Sequence, residues 1–176
     1  MTRYLDYKKE ISAEAWFKAI EPLLKEGYQF KVYPYGCSMV PFLCGGRDEA
    51  VLSIPDNNYK YKKNDIVLYK VNTGMHVLHR ICCVNKTGIY ILGDGETDTE
   101  GPYQQEDILA IVDYIIRKGK VIMSDNKIYI CLVSIWRLLR PFRPKIIRMY
   151  SSFRRIEKKF RKANTENIYK DNQEEQ

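Results

Sequence analysis

Histidine is scarce in this chain: there are two in 176 residues, His76 and His79. Cysteine occurs five times, an odd number, with Cys82 and Cys83 adjacent and no C-x-x-C pair. That combination speaks against a zinc framework and against a disulfide scaffold, so no metal and no cofactor is expected, and a reducing compartment fits. Long apolar runs are missing too. The first ten residues, MTRYLDYKKE, carry charge throughout and lead into no apolar stretch, so no signal peptide is expected. The uncharged segment IYICLVSIW, 128–136, has nine residues, where a bilayer core needs about 20. Acidic residues are nearly absent from one region. Trp136 to Lys162 holds eleven Lys or Arg and a single acid, Glu157, so of the formal +7 that segment carries +10 and the rest of the chain sits near −3. The basic character belongs to a C-terminal tail, not to the body of the protein.

What is present suits one globular domain with a real core. Residues 12–26 read as an amphipathic helix, with Ser12 as N-cap, Glu14 in the first turn, and Trp16, Phe17, Ile20, Leu23 and Leu24 on one face. Pro22 should kink or restart it, and Gly27 should stop it. The period then changes to two. Strands are expected over 29–35, 49–54, 66–71, 75–84, 88–92, 108–116 and 119–124, with a hairpin turn at Asn72, Thr73 and Gly74. Turns recur too often for a βαβ series, so the fold class is mainly β, an antiparallel domain with an N-terminal amphipathic helix and a basic helical C-terminal tail. The expected organisation is a helical segment over 1–27, the β domain over 28–124, a basic apolar tail over 125–162 and a disordered terminus over 163–176.

Three places carry chemistry. The first is GCSMVPFL, 36–43, a short stretch whose Gly36 permits a tight turn and whose Pro41 stiffens the exit, with Ser38 between them. The second is MHVLHRICCV, where alternation puts Met75, Val77, His79 and Ile81 on one face and His76, Leu78, Arg80 and Cys82 on the other. His79 therefore sits in an apolar row, which a core histidine with a backbone partner would also satisfy. The third is GDGETDTEGPY, 93–103, with Asp94, Glu96, Asp98 and Glu100 in a glycine-rich loop. It fails the calcium-loop pattern, because Glu96 and Thr99 break it. A serine, a histidine and an aspartate in that order are the parts of a hydroxyl nucleophile, a base to take its proton, and a carboxylate to orient the base.

GCSMVPFL, NDIVLYKV, VLHRI and ILGDGETDTEGPY, in this order, resemble the boxes of the S24/S26 serine peptidases, the group of type I signal peptidases and self-cleaving repressors. The likeness runs from about residue 28 to 115 and is strongest to the branch with a histidine base, as in endoplasmic-reticulum-type signal peptidases. The resemblance implies Ser38 as nucleophile, His79 as general base and Asp98 as the acid, with Asp94 the alternative because the loop is one residue shorter than the usual pattern. It also implies a signal-peptidase-like β domain and a peptide or preprotein substrate. A bacterial subgroup shares the helix before the serine box and a basic Trp-Arg-Leu-Leu tail, here Trp136 to Leu139. Two departures stand out. The signal peptidases carry an N-terminal transmembrane anchor and none is visible here. Gly36 occupies a position where some members place a hydroxyl residue, so the Ser38 N–H is left to bind the oxyanion.

The expected activity is thus serine endopeptidase cleavage of a leader or signal-like peptide. Its rivals are a cytoplasmic leader peptidase for a small modified peptide and a non-catalytic peptide-binding module on the same fold. A self-cleaving repressor would need a DNA-binding module before the first strand, and about 27 residues are too few for one. The tail, RLLRPFRPKIIRMYSSFRRIEKKFRK, mixes apolar and basic residues in the manner of an interfacial segment. Membrane association at the bacterial cytoplasmic membrane is expected from it, without nucleic acid; a helix packed on its own domain with a solvated basic face is the other reading of the same residues.

Overall fold

The computed structural model describes residues 13–152 apart from Asn57 and Asn72. The Ser12 cap, the tail beyond residue 152 and the terminus over 163–176 lie outside the described residues. Helix α1 spans Ala13–Lys25 and runs through Pro22 as one helix rather than restarting there. Its stop is Gly27, two residues on, whose φ of 91° is the left-handed conformation glycine adopts freely. The Gly27 N–H bonds to Leu24 O and the Tyr28 N–H to Leu23 O, the paired bonds of a Schellman cap.

Eight strands follow: β1 Phe30–Val32, β2 Asp48–Ser53, β3 Ile66–Lys70, β4 His76–Asn85, β5 Gly88–Leu92, β6 Glu100–Tyr103, β7 Ile108–Arg117 and β8 Lys120–Met123. They form one antiparallel sheet in the order β1-β2-β7-β3-β4-β5-β6, with β8 also on β7. The expected antiparallel β domain is therefore present, with seven strands close to where the alternation puts them. β6 is the addition. Its sequence, EGPY, has the composition of a turn, and it pairs only with β5 at the end of the sheet, where proline is tolerated.

Two apolar clusters lie on the sheet. One joins Phe17, Ile20 and Leu24 of α1 to Met39, Leu43, Leu52, Ile66, Leu68 and Ile115, and the other gathers Val67, Tyr69, Ile81, Ile89, Ile91 and Ile108. Alternation along β3 and β4 divides their residues between the clusters, so His79 faces the second while Arg80, one residue on, faces away from it.

The start of the tail is helical. α2 spans Lys127–Leu138, capped by Asn126, whose side chain accepts from the Ile128 and Tyr129 N–H groups. A short 3-10 turn at Arg140–Phe142 leads into helix over residues 143–152. Tyr129 and Val133 are buried in the first cluster, so the inner face of α2 is part of the domain. Among the described residues no helix is long and apolar enough to cross a membrane.

Candidate active site

Ser38 lies in the turn that follows β1, half-buried, with Met39 beside it at 4% exposure in the core. The turn is pressed against the loop over residues 93–99. The Gly95 N–H donates to Ser38 O at 2.6 Å. A side chain at Gly93 would bring its Cβ within 2.7 Å of both Ser38 O and Glu96 Oε2. A Cβ at Gly95 would lie 3.0 Å from Cys37 O. The two glycines of Gly-Asp-Gly are therefore there for close approach: they let the serine turn and the acidic loop touch backbone to backbone.

His79 is 3% exposed on β4, opposite Val67 of β3. Tyr69, two residues along β3, puts its hydroxyl 3.0 Å from His79 Nδ1 and donates to Glu100 Oε2 at 2.9 Å. Glu100 Oε1 is itself 3.4 Å from Nδ1. This arrangement fixes the tautomer. A phenol has one hydrogen, and a carboxylate only accepts, so the Tyr69 hydrogen goes to Glu100. Nδ1 must then carry the ring proton and donate it, which leaves the lone pair on Nε2. Burial, and after it the Glu100 hydrogen bond, pushes the Tyr69 phenol far up, so it stays neutral across the working range.

Nε2 is buried and has no hydrogen-bond partner. Its nearest carboxylate is Glu96, with Oε2 at 3.8 Å, the same oxygen that sits over Gly93 beside Ser38 O. The unpartnered nitrogen is thus linked to the serine turn through Glu96 of the acidic loop. Ser38 Oγ does not hydrogen-bond to it; unliganded sites often hold nucleophile and base further apart than the reacting complex does.

The two aspartates stand elsewhere. Asp98 is exposed, beside Pro144 and Ile147 at a surface depression, and the carboxylates within 4 Å of His79 are Glu96 and Glu100. Asp94 is buried and tied to Arg80, accepting from Nε at 2.9 Å and Nη2 at 2.8 Å. The carboxylate on the imidazole is Glu100, and the sequence reading placed that role on Asp98 or Asp94. Glu100 was visible as one of four acids in the loop, but breaker residues hid the strand that carries it. Tyr69 was legible in principle: a short connection pairs β3 with β4 and makes Tyr69 a diagonal neighbour of His79 on one face.

The loop over 93–99 is held from behind by the tail. Trp136 Nε1 donates to Asp94 O at 2.6 Å, Arg140 Nε to Thr97 O at 2.7 Å and Arg143 Nη1 to Glu96 O at 2.7 Å. In front of the serine turn is an open groove of about 480 Å³, lined by Ser38 and by Val32, Met39, Leu43, Leu68 and Leu78. His76 also lines it, its ring 5.6 Å from that of Phe17, and burial lowers its pKa. His79, Glu96 and Glu100 each offer a ligand atom within 4.8 Å of the others, the arrangement in which a cation can be held. No family model, curated protein or solved structure matches the chain.

Proposed function

We propose that this chain is a serine endopeptidase of the S24/S26, signal-peptidase-like type, cleaving a leader or signal-like peptide. Ser38 is the nucleophile, His79 the general base, and Glu100, with Tyr69, the group that orients the base. The observation that supports this most is the state of His79: a buried imidazole with its Nδ1 held by Tyr69 and Glu100 and its Nε2 without a partner, near Glu96, a residue of the loop that packs on the serine turn.

The chemistry balances with these groups alone. His79 Nε2 takes the Ser38 hydroxyl proton as Oγ attacks the scissile carbonyl. The resulting imidazolium lies between the Glu100 and Glu96 carboxylates, at 3.4 and 3.8 Å, and both favour its charge. The Ser38 N–H faces the developing oxyanion. Nε2 then returns the proton to the leaving amine, and the acyl-Ser38 ester forms as the peptide bond breaks. Water, deprotonated by the same nitrogen, releases the acid. The apolar lining of the groove suits a peptide with apolar side chains before the scissile bond.

The test is cleavage of leader-like peptides by the purified protein across the pH range. Ser38→Ala and His79→Ala should each lower turnover by about 10³-fold or more, and the double variant should be little worse than either, because the pair acts as a unit. Full activity in Ser38→Ala would end the proposal. Loss of activity on mutating a lysine, with His79→Ala unaffected, would leave a peptidase with a different base.

A further inference from the structure

The tail helix has two faces with different partners. Inward, Tyr129 and Val133 are buried and Trp136 reaches the loop over 93–99. Outward, α2 presents Ile128, Leu132 and Ile135 at 73%, 52% and 51% exposure, and the continuation adds Leu138 at 80% and Phe142 at 56%. Residues 128, 132 and 135 repeat at helical spacing and lie along one stripe. Five large apolar side chains with so much exposure on one short helix and the turn after it form a patch that water does not favour.

The charge around that stripe is mainly positive, although Asp125 stands just before the helix and Arg137, Arg140 and Arg143 are taken up by Asn64 and the loop over 93–99. From residue 126 to 152 there are six Lys or Arg and no acid, and from 153 to 162 the sequence adds six more against Glu157. Lys127, Lys145 and Arg148 are exposed at its ends and flank. Four of the five apolar side chains are aliphatic, and a single aromatic, Phe142, makes a poor stacking platform for nucleic acid bases. A bilayer with anionic headgroups matches both features, taking the apolar row into its acyl boundary and the cations at its surface.

We propose that the outer face of α2, together with residues 143–152, docks parallel to an anionic lipid bilayer as a monotopic surface. Docking itself does not depend on the peptidase reading. Its consequence does: the same helix grips the loop that carries Glu96, so docking would set the candidate site about one helix diameter from the membrane surface, near 10 Å, where a membrane-bound leader emerges.

The experiment is co-sedimentation of the full-length protein with lipid vesicles, alongside peptide cleavage in solution. Phosphatidylserine-containing vesicles should bind it, and pure phosphatidylcholine vesicles about tenfold less or worse. Leu132→Glu with Ile135→Glu should cut binding to the anionic vesicles by about tenfold or more, with melting temperature and solution cleavage unchanged, because both side chains are exposed. High salt should weaken binding without abolishing it. No binding to anionic vesicles overturns the proposal. So does binding that survives the double substitution or is wholly stripped by salt, since charge alone would then do the work. A protein that is dimeric without lipid and becomes monomeric on the double substitution overturns it too, by covering the face with a second copy. Vesicle binding with no cleavage of any peptide would sink the peptidase reading and leave the docking face standing.

Discussion

His79 and Arg80 are neighbours on β4, both buried, at 3% and 2% exposure, and they face opposite sides of the sheet into opposite kinds of polar surroundings. Arg80 is fully provided for. It donates to both oxygens of Asp94, to Asn64 O at 2.9 Å and to Tyr129 Oη at 2.9 Å. Burial alone would lower its pKa, but the Asp94 carboxylate outweighs that and raises it further. His79 has one hydrogen bond, two carboxylates at 3.4 and 3.8 Å, and a bare Nε2. A satisfied buried network holds a fold together; a buried titratable group left partly unpaired costs stability and marks a place kept for something else. One strand carries a structural ion pair and a candidate reactive group, separated by a single peptide unit.

The largest expected effect tests that division directly. Asp94→Asn strips the charge partner from a buried guanidinium and should cost about 3–5 kcal/mol of stability. His79→Leu removes a ring whose Nε2 has no partner, so it should change stability by about 1 kcal/mol or less, and it should abolish cleavage. Urea unfolding of both variants, with activity measured on each, gives the answer. Comparable stability losses would erase the distinction between the two sides of β4.

The next effect concerns the orienting acid. Glu100→Gln keeps the shape and an acceptor for Tyr69 but removes the charge that holds the imidazolium, so turnover should fall about 10²-fold, or ~2.7 kcal/mol. Asp98→Asn should change turnover by about twofold at most, since that side chain is exposed away from His79. A reversed ranking would return the acid role to Asp98 and require the loop to rearrange when substrate binds.

Glu100, and neither Asp98 nor Asp94, is the carboxylate beside His79 Nδ1, and periodicity alone could not have placed it there. Alternation found seven strands and the faces of β4, because apolar residues at period two are a direct consequence of pleating. The same alternation put His79 in its apolar row. It could not find β6, because EGPY offers a lone tyrosine after two strand breakers and its place is fixed by pairing at the sheet edge. With the strand hidden, the loop's acids could be ordered only by likeness to a motif. The tail was harder still. Its composition shows apolar and basic residues together, but which arginines turn inward to the loop over 93–99 depends on helix phase, and in the sequence Arg140 and Arg143 look no different from Lys145.

The smallest expected effect comes from a second arginine–carboxylate cluster, at the far end of the serine loop, and it sharpens the comparison by adding a second satisfied site. Asp48 is 2% exposed and accepts from Arg47 Nη2 at 2.7 Å, Arg117 Nε at 2.9 Å and the Cys44 N–H at 2.9 Å. The same arginines reach Pro41 O at 2.9 Å and Phe42 O at 2.7 Å, so the cluster pins the chain just after Ser38. Burial would raise the Asp48 pKa, but the hydrogen bonds from Arg47 and Arg117 prevail and hold it at about 2. A folded pKa below the unfolded value near 3.9 means the contribution is whole above about pH 4 and is lost as pH falls through about 2. Its size is at most ~2.6 kcal/mol, since a pKa unit is about 1.4 kcal/mol. Wild-type stability should therefore drop between about pH 4 and pH 2 by more than that of Asp48→Asn, which should already be weaker at pH 7. Asp98→Asn, an exposed change, should follow the wild-type curve. If Asp48→Asn lost as much stability over that window as the wild type, the acid limb would belong to other carboxylates, and the Arg47–Asp48–Arg117 cluster would owe its role to geometry alone. Should the limb shrink as expected while peptide cleavage at neutral pH also slows, the pinning of Pro41 and Phe42 would be part of how Ser38 is positioned, and the satisfied and unsatisfied sites would be two ends of one device.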